Sequence, residues 1–427
     1  MKAVLIIPKG LNEGNLIWRI PYIYPKEHLE DGIEQLKTKG FIFEWLEDGI
    51  GLAFRSKLPT EEAVHNLKIA FRWMDITCYN DEEKIDFESV VFDYAIVALP
   101  LGRLKIDNPI LSDHICLFPA GYLWIYNLRN LDGSKFGTKT AKLRDYITSH
   151  TKVSIEVFQD MPLMVFPIKI SYKEYVSMNQ MEDNDLIIKC SEKAERVMDL
   201  VRFYGADYVL PEWLPSRAGI WNDRYSAMYI FFPKEQISHI QSREVELKSF
   251  IKGIGMEFTD TDNLNIHPLM TSSPDELQSI IIHALRLHSA IQETDNDTMK
   301  FAQIMMLFDY IGNPNEYANF QTMKAQFVPV LARDKHRYHQ LSERFKQLTK
   351  GYEDASGKLV RNGLRTDIVH LGKSILDLMP DPKGRKALFQ ELHGYIYTLI
   401  HHMIISQSSS WKEYEAERTA LRTKILT

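Results

Sequence analysis

The stretch VRNGLRTDIVHLGKSILDL holds Arg365 and His370 with four residues between them. Histidine titrates near neutrality and can give or take a proton; arginine stays charged and forks onto two phosphate oxygens. Together they match the needs of metal-free RNA cleavage. Those needs are a base for the 2′-hydroxyl proton, an acid for the leaving 5′-oxygen, and positive charge against the phosphorane. DNA lacks the attacking hydroxyl, so such a pair selects RNA chemically. Spacing alone is a weak signal, because Arg144 with His150 and Arg333 with His339 also match the pattern of Arg, four to six residues, His. Context separates the third case: a polar, glycine-containing lead-in, then an amphipathic helical pattern.

The elements that must position this pair set a geometric condition. On a regular helix, residues five apart point about 140° away from each other, since each step turns about 100°. The apolar stripe runs through Ile368 and Leu371, which leaves Arg365 and His370 on opposite flanks. Convergence within one chain requires Arg365 in the first turn or just outside it, capped by Asn362 or Thr366. Otherwise the two meet across a twofold axis, where two copies supply two histidines and two arginines. From Leu331 to Lys386 the chain carries thirteen Lys and Arg against seven Asp and Glu, a local +6 in a protein of −6 overall. Such a field attracts a phosphate backbone, with Arg361, Lys358 and Lys373 beside the motif. Tyr352, in KGYEDASGKL, could stack a base, and the composition of that stretch reads as a loop.

The segment LRTDIVHLGKS resembles the arginine–histidine motif of HEPN domains, specifically the Apea-like group of prokaryotic antiviral defence. The resemblance covers roughly Ser273 to Ser406, where HALRLHSAIQ and KFAQIMMLFDYIG also fit the group's pattern. It implies an all-α HEPN-like bundle that forms a homodimer and acts as a metal-independent endoribonuclease on RNA. The implied products are 2′,3′-cyclic phosphate and 5′-hydroxyl ends, with no cofactor. Arg365 and His370 are then the motif pair. The family places Asn, Asp or His directly after the arginine; Thr366 stands there instead, and Asp367, one place on, takes the orienting role. The implied setting is anti-phage defence, with a phage-derived or small-molecule trigger acting on the amino-terminal region. The alternative is a non-catalytic HEPN-like dimerisation or interaction protein with a sensor domain.

Around this motif the chain reads as α+β, with a strand-rich, mixed region over 1–265 and helix after helix over 272–427. Strand signals appear at Val4 to Ile7, at VSIEVF, LMVFPIKI and MYIFFP, and at Leu16 to Tyr24, where a proline suggests an edge strand. SEKAERVMDLVRFYG puts Val197, Leu200, Val201 and Tyr204 on one helical face. Pro274, with Asp275 and Glu276 behind it, marks the start of the helical half. There the stripes run Leu277, Ile280, Ile281, Ala284, Leu285, Ile291; then Phe301, Ile304, Met305, Phe308, Ile311; then Tyr338, Leu341, Phe345, Leu348. Leu364, Ile368, Leu371, Ile375 and Leu378 follow, and then Leu388, Leu392, Tyr395 and Leu399.

Other chemistries find little support. There is no phosphate-binding G-x-x-x-x-G-K-[ST], no G-x-S-x-G elbow and no H-E-x-x-H helix. Asp260 to Asn265 begins like a calcium loop but lacks its later glycine and acid. The 14 histidines include His336 with His339 and the adjacent His401 and His402, without the Cys or acid spacing of a metal site, so no metal is expected. Hydrophobic residues at 45% and charged residues at 25% of 427 exclude a largely disordered chain. Three unpaired-looking cysteines (Cys78, Cys116, Cys190) and the absence of a long apolar run lead to the expectation of a cytoplasmic protein away from the membrane.

Overall fold

The computed structural model describes residues 2–7, 15–19, 26–45, 51–80, 95–111, 115–121, 156–209, 213–221, 225–232, 235, 237–244, 255–258, 269, 274–316, 320–353 and 359–427. The chain divides into two units. The first takes Met1–Glu195, Pro215–Phe250 and Glu257–Ser272; the second takes Arg196–Leu214, Ile251–Met256 and Ser273–Thr427. Strands dominate the first and helices the second, an α+β chain. Among the described residues no helix is long and apolar enough to cross a membrane.

In the first unit, the run Val4 to Ile7 lies in β1 (Lys2–Ile7), between β2 (Asn15–Arg19) and β5 (Asp75–Asn80). β1 pairs antiparallel with β2 and parallel with β5; β3 (Ile42–Trp45) and β4 (Gly51–Arg55) complete the order β3-β4-β2-β1-β5. β2 is therefore interior, not the edge strand that Pro21 suggested. The proline itself, with residues 20–24, lies outside the described residues. Two helices, α1 (Lys26–Lys37) and α2 (Thr60–Ala70), add Leu29, Ile33, Leu36 and Leu67 to a core with Leu5, Trp18, Phe54 and Phe71.

That core continues into a second sheet of β6 (Ala95–Pro100), β8 (Ile110–Leu111), β9 (Cys116–Phe118), β10 (Leu163–Ile168), β11 (Tyr225–Phe232) and β12 (Ile237–Glu244). Its order is β12-β11-β6-β10-β9-β8, with antiparallel neighbours. Two short strands, β7 (Leu104–Ile106) and β13 (Met256–Phe258), stand apart from it. LMVFPIKI and MYIFFP form strands as expected. Of VSIEVF, residues 153–155 lie outside the described residues, and its end opens a short helix, α3 (Glu156–Asp160), in which Phe158 packs on Tyr229 at 6.0 Å between ring centroids. A β-branched run alone does not distinguish a strand from one buried helical turn. α4 (Tyr172–Ser177) follows, and then α5 (Gln180–Gly205), whose residues from Arg196 belong to the second unit.

The second unit is built from α6 (Glu276–Glu293), α7 (Asp297–Gly312), α8 (Phe320–Leu331), α9 (Lys335–Thr349), α10 (Ile375–Leu378), α11 (Pro382–Ile405) and α12 (Trp411–Leu426). Their starts are written in the sequence. Asp275 and Gln278 form a capping box on α6, while Asn296, Asp334, Asp381 and Ser410 each accept a backbone N–H at the next starts. Pro274 lies just outside the first turn of α6, one residue before its cap. The stripes on α6, α7 and α9 are buried as their period required, and Phe308, Phe327, Phe345 and Tyr395 stack into one aromatic centre. The fourth stripe breaks. Leu371 is 56% exposed, and in place of one helix the chain makes a widened turn, a glycine bend and the single turn of α10. The helical half also carries one two-stranded ribbon, β14 (Gly351–Glu353) with β15 (Leu359–Asn362), where loop composition had suggested no strand.

Candidate active site

Two glycines allow close main-chain approaches here, Gly351 between the ribbon's strands and Gly363 between the ribbon and α9. A side chain at Gly351, whose φ is +125°, would meet the Arg361 carbonyl oxygen at 2.0 Å. One at Gly363 would sit 2.5 Å from the Thr349 carbonyl carbon. Past that crossing the chain winds through Leu364 and Arg365 and then widens over Thr366–His370, closed by the Leu371 N–H donating to the Thr366 carbonyl, 3.1 Å, five residues back. Gly372, at φ +67°, ends the turn, and the Lys373 N–H returns to the Asp367 carbonyl.

This widening answers the geometric condition on the motif. Arg365 sits at the entry with helical dihedrals and no side-chain cap, so neither Asn362 nor Thr366 caps it. A turn closed five residues back takes more than four residues, so residues five apart return close to the same side instead of diverging as on a regular helix. Arg365 Nη2 donates to Asp309 Oδ2 on α7 at 2.9 Å. His370 is exposed, and among the described residues its ring makes no hydrogen bond. Burial pushes the Asp309 carboxyl up from its ordinary value, while Arg365 and then His370 pull it back down. Asp309 Oδ1 is buried and accepts no hydrogen bond among the described residues.

The other candidates fall elsewhere. Thr366 donates its hydroxyl to the Thr349 carbonyl, 2.7 Å, fastening the turn to the end of α9. Asp367 is buried and accepts from Lys373 Nζ at 2.9 Å and Asn362 Nδ2 at 3.1 Å. The hydrogen bond from Lys373 leads in holding its carboxyl below the usual range. Both side chains therefore fix the turn and make no hydrogen bond to Arg365 or His370. Tyr352 and Arg361 stand directly opposite each other on the ribbon, sharing one face; both are exposed, and Arg361 also reaches the Leu378 carbonyl at 3.3 Å. Lys358 lies outside the described residues.

Asp309 is the residue that sequence reasoning passed over. It had one signal: it is the only acid between Asp297 and Glu316, set inside the otherwise apolar IMMLFDYIG. Among the described residues no cluster of three His, Cys, Asp or Glu could hold a metal ion. The histidines there pack or bond locally: His288 and His393 against Tyr208, His336 with Gln340, His402 with the Tyr414 hydroxyl. No family model, curated protein or solved structure matches this chain.

Proposed function

We propose that the protein is a metal-independent endoribonuclease of the HEPN type. The observation that carries this reading is that a single widened turn presents an exposed His370 and, at its entry, Arg365 held by the half-buried Asp309. Arg365 grips the scissile phosphate. His370 moves the proton: the 2′-oxygen bonds to phosphorus as its proton leaves to a base, and the P–O5′ bond breaks as an acid protonates the 5′-oxygen. One chain supplies a single histidine, so base and acid come from two copies. Exposed apolar side chains flank the turn where a second copy would sit: Val369, Leu371, Leu376 and, on α7, Met306. Tyr352 and Arg361 on the ribbon offer a stacking ring and a phosphate contact to RNA. The cytoplasmic, antiviral setting and a trigger acting on the first unit extend the same resemblance.

The rival reading is a non-catalytic dimerisation module. It draws on the same exposed apolar residues, and on Thr366 and Asp367 being committed to holding the turn. Incubating the protein with total RNA in excess EDTA separates the two. The nuclease reading expects cleavage that disappears in His370→Ala; equal outcomes for both proteins leave the module.

A further inference from the structure

The guanidinium of Arg365 rides on a long, flexible stem, and ordering such a side chain costs about 1.5–2 kcal/mol of rotamer freedom unless a partner fixes it. From sequence that partner was Asp367, but Asp367 is turned to Asn362 and Lys373, and Thr366 to Thr349. The charged partner that does meet Arg365 comes from 56 residues upstream. Asp309 Oδ2 takes one Nη2 proton at 2.9 Å, and its Oδ1 is buried instead of opening to solvent. α7 also packs directly on the widened turn, which gives Asp309 a rigid base.

We infer that Asp309 is the positioning residue of the Arg365–His370 pair, holding the guanidinium in place at the entry of the turn that carries the imidazole. The inference rests on the ribonuclease reading above and deepens it. Asp309 touches no reacting atom. It acts through Arg365, by an ion pair and a hydrogen bond.

The test compares wild type with Asp309→Asn and Asp309→Glu, cleaving an oligoribonucleotide in EDTA across pH 5.5 to 9 (roughly the span in which imidazole chemistry operates). In parallel, the Nε–Hε resonance of Arg365 is followed by NMR for side-chain order. A loss of positioning on the scale of 1 Å costs about 100-fold, so Asp309→Asn lowers kcat by about that factor, with KM changing much less. Arg365 becomes more mobile. Asp309→Glu, which keeps the charge, restores part of the rate and the order of Arg365, and it carries the test should the Asn variant fold poorly. Wild-type kcat in Asp309→Asn overturns the inference; so does faster cleavage, which would mean that the carboxylate competes with phosphate. If wild type cleaves no RNA, the nuclease reading falls by itself. In that case a mobile Arg365 in Asp309→Asn still upholds the tether, and an unchanged one overturns it.

Discussion

Replacing Gly363 by alanine tests whether the crossing of ribbon and helix sets the motif. The position does not need a left-handed backbone; it needs room. An added Cβ would lie 2.5 Å and 2.6 Å from the Thr349 carbonyl carbon and oxygen and 2.9 Å from the Gln347 carbonyl oxygen. These are main-chain atoms, so no rotamer change relieves the clash and the end of β15 must move off α9. Overpacking costs about 1–3 kcal/mol, and a clash with main chain belongs at the upper end. At about 2–4 °C per kcal/mol for a unit of this size, the helical unit's Tm falls by about 6–12 °C. The same movement pulls Thr366 from the Thr349 carbonyl and displaces the start of the turn at Arg365, so RNA cleavage falls further than the loss of folded protein explains. Gly372→Ala is the comparison. It meets nothing within 4 Å but sits at φ +67°, which costs about 1–2 kcal/mol. Thermal unfolding followed by circular dichroism ranks the two. A Gly363→Ala protein melting within about 2 °C of wild type, or above Gly372→Ala, refutes the reasoning.

Three other outcomes follow from the helical unit. His288, with both ring nitrogens buried and unbonded, is held well below the ordinary imidazole range by burial and by neighbouring His393. Burial also depresses His393, against Asp207 and a hydrogen bond with the Ala206 backbone. The folded state then binds fewer protons than the unfolded, so stability is intact above about pH 6.5 and falls by up to about 1.4 kcal/mol per pH unit per histidine below it. Calorimetry from pH 7.5 to 5.5 should show the decline, with a shallower slope in His288→Phe; equal slopes contradict it. Arg418, 1% exposed, stacks on Trp411 at 4.4 Å and donates to the Ile311 carbonyl, so Arg418→Ala should cost about 3 kcal/mol in urea unfolding; a loss under about 1 kcal/mol would place its packing elsewhere. Leu371→Asp, at a position already 56% exposed, should leave the circular dichroism spectrum unchanged while light scattering shows a dimer becoming a monomer. A wild type that is already monomeric rules out that interface.

The helical stripes were legible because period 3.6 survives burial: Leu277 through Ile291 and Phe301 through Ile311 face the core as their spacing requires. Start signals are equally local, so Pro274 marked the start of α6 to within two residues, although it precedes the cap Asp275 and does not open the first turn. The stripe from Leu364 to Leu378 misled because one five-residue closure and a left-handed Gly372 rotate everything after Ile368, which leaves Leu371 outside. The end of VSIEVF, from Glu156, is helical, with Phe158 packed on Tyr229 about 70 residues away, a partner its neighbours do not announce. In the candidate site, Arg365 and His370 were visible as a pair, since both lie in one short segment. Asp309 was not, because its only link to them is a tertiary contact. Thr366 and Asp367 were visible as polar groups, but nothing local indicated that α9, Asn362 and Lys373 would claim them.

The central claim concerns which bond Arg365 and His370 break and how. Mass spectrometry of the fragments released from a defined oligoribonucleotide in excess EDTA tests it most directly, alongside the same oligomer with 2′-deoxy substitution at the cut position. The account predicts 2′,3′-cyclic phosphate and 5′-hydroxyl ends, no cut at the deoxy position, and intact RNA with Arg365→Ala or His370→Ala. Fragments carrying 5′-phosphates, cutting at the deoxy position, or cleavage that survives both substitutions would contradict it.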